Sequence, residues 1–344
     1  MRTVSRVLAA AATAVLVPCL AAALPAASAA NAAAGTTPTA HTGIAPVAGG
    51  ARYLAYVRGT TTHKSYVPGD ETTGTLHVLT ATGKRLDLGP IMPRPGFSLV
   101  DATLIETSFS GPTENLKWWD LAKGTHGSAT GAASEWAVGA APDGWLLTTK
   151  VGGGHVIYQH FGGKRTDLGR PLPAGVGYSA VTGASGFVAY GDNDENGNGE
   201  IVFAPWAHPT KHTVLQKPKG QENSCSAVDV HWAACGLSDL THSPLALIRV
   251  SDGKQVRTTN RCRFEFPALF GNHAAWVNPG SKGCPRGTVE MLDSHGHLTV
   301  STRHGYNWYF RVGALGRFVT TNKAQTELLG LRTANGTPKV LARA

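Results

Sequence analysis

The chain has 344 residues, of which 42% are hydrophobic, and its formal net charge at pH 7 is +9. Lys and Arg are dispersed and form no long run, so the charge pattern does not indicate a nucleic-acid-binding protein. A positive balance favours an anionic wall polymer or a membrane surface as a partner. A mildly basic soluble protein without such a partner is the simpler interpretation.

The N-terminus has the pattern of a secretory signal peptide over residues 1–29. Arg2 and Arg6 supply a basic start, an apolar run follows from Val7 to Leu24, and Ala27-Ser28-Ala29 forms a small-residue cleavage site. A membrane anchor is the weaker alternative because the apolar run is rich in alanine and is interrupted by Pro18. We therefore expect a secreted protein without an integral membrane segment after cleavage.

The segment that follows the signal is poor in bulky side chains. Residues 30–43 can bury little apolar surface and predict a disordered linker. About 300 residues remain, which suits two ordinary domains or one large all-β domain. We assign residues 44–344 to a single domain because of the repeat described next.

A short hydrophobic run recurs seven times along this domain. The starts of successive runs are 42 to 50 residues apart, a period typical of stacked units that cannot bury their apolar faces alone. The runs are YLAYV (Tyr53–Val57), TLIET (Thr103–Thr107), WLLTT (Trp145–Thr149), FVAYG (Phe187–Gly191), HWAAC (His231–Cys235), HAAWV (His273–Val277) and RFVTT (Arg317–Thr321).

Each unit repeats the same order of short strands and glycine-rich turns around this run. The phrase GKRLDLG (Gly83–Gly89) returns as GKRTDLG (Gly163–Gly169), and both read as the hairpin between a third and a fourth strand. Four antiparallel strands repeated about seven times predict an all-β fold, a seven-bladed β-propeller of four-stranded antiparallel blades. Six or eight blades remain alternatives. No spare strand is evident, so we expect the ring to close by packing between the first and last units.

The third unit carries turn and strand residues that are similar to a known repeat. They are Pro142-Asp143-Gly144 before an apolar strand, the pair Ile157-Tyr158, and the hairpin Gly162-Gly163. In this pattern the unit resembles the repeat of TolB-like and related WD40-like propellers of the exported bacterial type. The resemblance implies architecture and partner binding, and it brings no catalytic residue with it.

The loop DNDENGNGE in the fourth unit has the spacing of a calcium-binding loop. Oxygen ligands fall at Asp192, Asp194, Asn196 and Glu200, and Asn198 offers its backbone carbonyl. The spacing resembles the calcium loops between blade strands of integrin-like propellers. A solvated acidic hairpin turn is the alternative. A bound Ca²⁺ would rigidify the loop rather than take part in chemistry.

Four cysteines remain after signal cleavage, and their number predicts two disulfides with three possible connectivities. Cys225 and Cys235 lie on opposite strands of one predicted hairpin, which places their Cβ atoms within bonding reach. We therefore expect Cys225–Cys235, and Cys262–Cys284 in the next unit. A crossed pair such as Cys225–Cys262 would instead join neighbouring blades.

The starts of the first strands are rich in aromatic side chains with polar neighbours. In a propeller these strand ends surround a mouth of the central channel, where flat rings can stack against sugars or peptides. Packing between blades is the alternative role for any one of them. The predicted ligand-binding residues are Trp136, Tyr178, Arg263, Phe264, Asn307, Trp308, Tyr309 and Arg311.

The sequence contains no HExxH, GxSxG or Walker A motif, so no catalytic residue is assigned. The favoured function is an exported, non-catalytic binding or scaffold protein for an extracellular glycan, wall polymer or protein. The alternative is an extracellular hydrolase or lyase for glycans or peptides, with Asp101, Glu106 or Glu265 as acids near the channel mouth. Facing carboxylates, or a carboxylate beside a histidine, would favour the enzyme, whereas an apolar plug in the channel would favour the binder.

Overall fold

Twenty-eight β-strands account for the regular secondary structure of the described part of the chain. The structure is a computed structural model that describes residues 40–61, 72–110, 113–131, 134–149, 155–171, 178–191, 200–216, 222–238, 245–258, 267–280 and 285–344. None of these residues is helical, and accordingly no helix within those ranges is long and apolar enough to cross a membrane.

The strands form seven blades in chain order. Blades 1 and 2 contain β1 (His41–Gly49), β2 (Tyr53–Thr61), β3 (Thr72–Thr80), β4 (Arg85–Pro90), β5 (Gly96–Val100), β6 (Thr103–Ser110), β7 (Thr113–Asp120) and β8 (Thr125–Thr130). Blades 3 and 4 contain β9 (Glu135–Ala141), β10 (Gly144–Thr149), β11 (Val156–His160), β12 (Arg165–Asp167), β13 (Tyr178–Thr182), β14 (Gly186–Gly191), β15 (Ile201–Pro205) and β16 (Thr213–Gln216).

The remaining blades follow the same plan. Blades 5 and 6 contain β17 (Glu222–Val228), β18 (Trp232–Ser238), β19 (Leu245–Arg249), β20 (Gln255–Thr258), β21 (Ala268–Phe270), β22 (His273–Val277), β23 (Val289–Asp293) and β24 (Leu298–Val300). Blade 7 contains β25 (Tyr306–Ala314), β26 (Arg317–Asn322), β27 (Glu327–Leu331) and β28 (Lys339–Arg343).

Every blade is a four-stranded antiparallel meander in which consecutive strands pair. This arrangement confirms the predicted seven-bladed β-propeller, and the seven hydrophobic runs are its second strands. The first strand of each blade lies beside those of its two neighbours, so β1, β5, β9, β13, β17, β21 and β25 surround a central channel. β1 begins at His41, so blade 1 takes in three residues that were assigned to the linker.

Burial on both faces explains why the second strands read as continuous hydrophobic runs. In β2 the four residues from Leu54 to Val57 are all buried, and in β10 the five residues from Gly144 to Thr148 are buried. A strand alternates its side chains between two faces, so continuous burial requires a neighbouring blade on each side. The stacked arrangement therefore buries apolar surface that an isolated blade would expose.

The ring closes where blade 7 packs directly against blade 1. No strand is shared between them, because all four strands of each blade are consecutive in the chain. The Ile44 N–H donates to the Gln325 carbonyl and the Leu315 N–H donates to the Gly50 carbonyl, each over 2.9 Å. The buried core of the closure is formed by Ile44, Leu54, Tyr56, Ala314, Val319 and Leu328. The predicted closure by packing matches this arrangement.

The Pro-Asp-Gly turn of blade 3 is held by side chains from its own third strand. The Tyr158 hydroxyl donates to one Asp143 carboxylate oxygen, and His160 Nδ1 lies 3.1 Å from the other. Burial opposes ionisation of Asp143, but these hydrogen bonds hold its pKa below the usual range. The residues behind the TolB-like resemblance therefore stabilise a turn.

One of the two expected disulfides lies within the described residues. Cys225 and Cys235 are direct partners of the β17–β18 ladder and form a disulfide, as predicted for this hairpin. Cys262 and Cys284 lie outside the described residues. Their pairing remains a prediction.

Two glycines near the channel sit where neighbouring backbones come too close for a side chain. A Cβ atom on Gly313 would lie 1.5 Å from the Leu269 carbonyl oxygen, and one on Gly183 would lie 1.8 Å from the Val228 carbonyl oxygen. These contacts join blade 7 to blade 6 and blade 4 to blade 5. Glycine at these positions allows the first strands to converge around the channel.

We expect Gly313→Ala to lower the free energy of unfolding by about 3 kcal/mol, because the new methyl group must displace the backbone of a neighbouring blade. Gly162→Ala is the matched control, since a Cβ atom at this turn meets nothing within 4 Å. Urea unfolding of both variants checks this. Equal stability of the two variants would show that the blades do not approach as described.

Candidate functional site

The central channel widens into a cavity of about 580 Å³ at one end of the ring. This end carries the turns between the first and second strands, which we call the first turns. The lining, which we call the central cavity, comprises residues 47–52, 97–101, 181–184, 226–231, 267–271, 311–314 and Gly316. Six blades contribute to it, each with the end of its first strand or its first turn.

Among the described residues, blade 3 supplies none of the lining. Ser98 of blade 2 and Thr182 of blade 4 approach each other in front of blade 3, and their hydroxyl oxygens are 3.1 Å apart. The Ala140 N–H donates to Ser98 Oγ over 2.9 Å. A Cβ atom on Gly139 would lie 2.3 Å from Thr182 Oγ1, so this position admits no larger residue without movement. The central cavity is therefore asymmetric.

The charged residues of the central cavity are distributed unequally around the ring. Arg52 belongs to blade 1 and Arg311 to blade 7, so both arginines flank the closure. Asp101 belongs to blade 2, and Asp229 and His231 belong to blade 5. One side of the cavity therefore favours anionic groups and the rest favours cationic or hydrogen-bonding groups. The described lining leaves an open cavity at this end of the channel.

Asp229 is the half-buried carboxylate of the central cavity and it organises the first turn of blade 5. Its Oδ1 accepts hydrogen bonds from the N–H groups of His231 and Trp232, both over 2.8 Å. Burial raises the pKa of Asp229, and these two hydrogen bonds oppose the rise only in part. The carboxylate lies next to a histidine in sequence, yet one of its oxygens is committed to backbone groups.

The structure brings one of the predicted ligand-binding residues, Arg311, into the central cavity. Trp136 is 46% exposed near the start of β9, and Asn307 lies near the start of β25, where its carbonyl accepts a hydrogen bond from Thr320 Oγ1. Both positions are at the strand ends remote from the cavity.

The other predicted binding residues are described in part or not at all. Tyr178, Trp308 and Tyr309 lie on β13 and β25, but their side chains fall outside the described structure, and Arg263 and Phe264 lie outside it entirely.

The predicted calcium loop is described only at Glu200, because residues 192–199 lie outside the described structure. Within the described ranges, no group of three or more His, Cys, Asp or Glu side chains is arranged to hold a metal ion. The calcium site therefore stays a prediction.

Of the three acids considered for an enzyme, Asp101 lies in the central cavity and Glu265 is outside the described residues. Glu106 is fully buried within blade 2, where its Oε1 accepts the Met92 N–H over 2.5 Å and its Oε2 lies 3.7 Å from Lys117 Nζ. Burial raises the pKa of Glu106 despite these contacts. Glu106 therefore anchors the connection between blades 1 and 2 rather than facing a ligand.

Sequence reasoning missed Arg52, Asp229 and His231 because it placed the site at the starts of the first strands. A signal was present in the first turns. The first turns of blades 4, 6 and 7 carry no charged residue, whereas those of blades 1, 2, 3 and 5 do. Charged residues at turns that converge on a channel indicate the end that meets a ligand.

The blade count, the ring and the cavity define the protein as a seven-bladed β-propeller. The propeller domain of the Trilobed protease from Pyrococcus furiosus, which has an open velcro topology, is similar with a TM-score of 0.57 at 9% identity, covering 88% of this chain and 96% of that one. The acylaminoacyl peptidase of Pyrococcus horikoshii is similar with a TM-score of 0.56 at 10% identity, covering 88% of this chain and 52% of that one.

TolB from Acinetobacter baumannii also matches, with a TM-score of 0.47 at 15% identity, covering 72% of this chain and 63% of that one. The chain spans about half the length of the acylaminoacyl peptidase. At these identities the similarity shows the fold alone. No known family matches the sequence, and no curated protein matches it either.

We expect Asp229→Asn to become more stable relative to the wild type as the pH rises from about 4 to about 7. A raised pKa means that ionised Asp229 disfavours the folded state, so its stabilising contribution is present at low pH and is lost as the pH rises through that value. Asparagine keeps an oxygen acceptor for both N–H groups. Urea unfolding at several pH values measures the difference.

The exposed Asp252, whose Oδ1 accepts the Lys254 N–H, provides the matched control because it has the same capping role without the burial. Asp252→Asn should not reproduce the trend. A relative stability of Asp229→Asn that falls with rising pH would contradict the conclusion that partial burial raises the pKa of Asp229.

Proposed function

We propose that this protein is an exported, non-catalytic binding module that takes an extracellular ligand into the central cavity. The observation that carries the proposal is the cavity itself, which six blades line and in which four of them present charged groups of both signs around a volume of about 580 Å³. Cavities of this size and mixed chemistry are typical of ligand sites.

Export is supported by two independent features of the chain. The signal-like N-terminus precedes the propeller, and the Cys225–Cys235 disulfide is of the kind that persists in oxidising compartments. An extracellular glycan, wall polymer or protein segment is then the class of ligand that the cavity would meet.

A binding role accounts for the cavity residues better than a catalytic one. The two arginines carry guanidinium groups, which are fixed positive charges with five N–H donors. Asp229 has one oxygen committed to the turn N–H groups, which suits a structural carboxylate. Ligand positioning requires fixed charges of this kind, whereas acid–base catalysis requires a group within reach of the proton it moves.

An extracellular hydrolase or lyase is the second candidate function. The observation in its favour is that a carboxylate with a raised pKa, Asp229, precedes His231 in the same cavity as Asp101. The similar structures include peptidases, so a peptide would be the first substrate class to test. A raised carboxylate pKa suits a general acid.

The test is ligand screening on glycan and peptide arrays beside a broad hydrolase screen, with Ala184→Trp as the cavity variant. Ala184 is exposed and lines the cavity, so an indole there would occupy ligand space. Ala122→Trp is the matched control at an exposed turn outside the lining. We expect Ala184→Trp to weaken binding at least about tenfold, a loss of about 1.4 kcal/mol, and Ala122→Trp to leave it unchanged.

Product release by the wild type that Asp229→Asn abolishes would contradict the binding role and establish the hydrolase. Binding that Ala184→Trp leaves intact would place the ligand outside the central cavity.

A further inference from the structure

The positive charge of the chain is concentrated in two adjacent blades. Residues 301–344, which include blade 7, contain seven Lys and Arg but a single acid, Glu327. Residues 41–90, which include blade 1, contain five Lys and Arg and three acids, Asp70, Glu71 and Asp87. Residues 91–300, which include the other five blades, contain 17 Lys and Arg and 18 Asp and Glu. The excess charge is therefore local to the closure of the ring.

Contacts on the first-turn side join the basic residues of the two blades into one surface. The Arg52 carbonyl accepts the Ala81 N–H over 2.8 Å, so the turn that ends in Lys84 lies against the first turn of blade 1. The Gly50 carbonyl accepts the Leu315 N–H across the closure. We call this surface the basic sector, and it comprises Arg52, Lys84, Arg85, Arg317, Arg332 and Lys339.

The blade 7 part of the basic sector extends outward from the channel. Phe318 pairs with Leu331, so Arg317 and Arg332 flank the same end of the β26–β27 pair, and Lys339 begins β28. Neighbouring strands are about 4.8 Å apart, so the path from the first to the fourth strand covers about 14 Å. Arg332 and Lys339 are exposed along this path, and Lys84 is exposed on blade 1.

Concentrated like charge is unfavourable for folding, because the cations repel one another in the compact state. Blade 7 has little acid to offset it, since Glu327 is paired with Arg343 over 3.0 Å. The sector continues into the central cavity, where the two arginines of the lining, Arg52 and Arg311, come from these same blades. The basic sector and the central cavity together form a surface that is longer than the binding site of a small anion.

We propose that the basic sector binds a linear polyanion, a chain of repeating carboxylate or phosphate groups, which continues into the central cavity. The inference rests on the proposed binding function and names its ligand class. Each cation neutralises one anionic group and releases a counterion, so binding weakens as salt rises.

The experiment measures fluorescence anisotropy with labelled polygalacturonate, polyphosphate and neutral dextran, at about 50 and about 200 mM NaCl. The sector variant is Lys84→Gln/Arg332→Gln/Lys339→Gln. The control variant, Lys164→Gln/Lys211→Gln/Lys254→Gln, removes the same charge from exposed lysines at the turns between the third and fourth strands of blades 3, 4 and 5.

We expect the wild type to bind at least one polyanion and not dextran. The sector variant should bind at least about tenfold more weakly, because it loses three of the cations that pair with the polymer. Its slope of log affinity against log salt should be shallower by about 2. The control variant should stay within about twofold of the wild type. The preferred polymer distinguishes carboxylate from phosphate recognition.

The melting temperature separates a ligand-binding role from a structural one. The sector variant should melt at or above the temperature of the wild type, because its substitutions relieve repulsion. A variant that melts lower and binds less because it unfolds would overturn the inference, as would equal weakening by both triple variants or no polyanion binding by the wild type.

The outcomes also separate this inference from the proposed function. A neutral array ligand that Ala184→Trp excludes, without polyanion binding, would overturn the inference and support the cavity-binding role. Polyanion binding that depends on the sector but not on Ala184 would support sector binding and contradict the role of the central cavity.

Discussion

The packing of blade 7 against blade 1 is the constraint on which the rest of the structure depends. Each blade is continuous in sequence, so no shared strand fastens the ends of the ring. Closure relies on the buried cluster around Ile44, Tyr56 and Leu328 and on two backbone hydrogen bonds. Because every blade buries both faces against its neighbours, an open ring would expose apolar faces on the two end blades.

Closure also determines the chemistry of the cavity. It brings Arg52 and Arg311 to the same side of the channel, opposite a lining that includes Asp229 and His231. The Ser98–Thr182 contact removes blade 3 from that lining, so the ring is regular in its backbone and irregular in its site. Propellers with the same architecture can therefore bind unrelated ligands, since the turns vary while the sheets do not.

The fold was predictable because burial on both faces of the second strand recurs in every blade. The seven hydrophobic runs therefore reveal the number of blades and their period directly. The Cys225–Cys235 pair was predictable from hairpin geometry alone. The site was harder, since the charged residues of the first turns indicate the open end of the channel only once those turns are known to converge on it. Asp229 and His231 converge with Arg311 only through the ring, across about 80 residues of chain. The buried role of Glu106 likewise depends on the path of the connection before β5.

Hydrogen exchange at the closure tests the central claim most directly. The Ile44 amide bonds to the Gln325 carbonyl across the two blades. If the ring closes by this packing, the amide should exchange as slowly as amides in the middle of β26, through opening of the whole domain. Exchange of Ile44 that is orders of magnitude faster, while β26 stays protected, would show that blade 7 separates from blade 1 and would contradict the account.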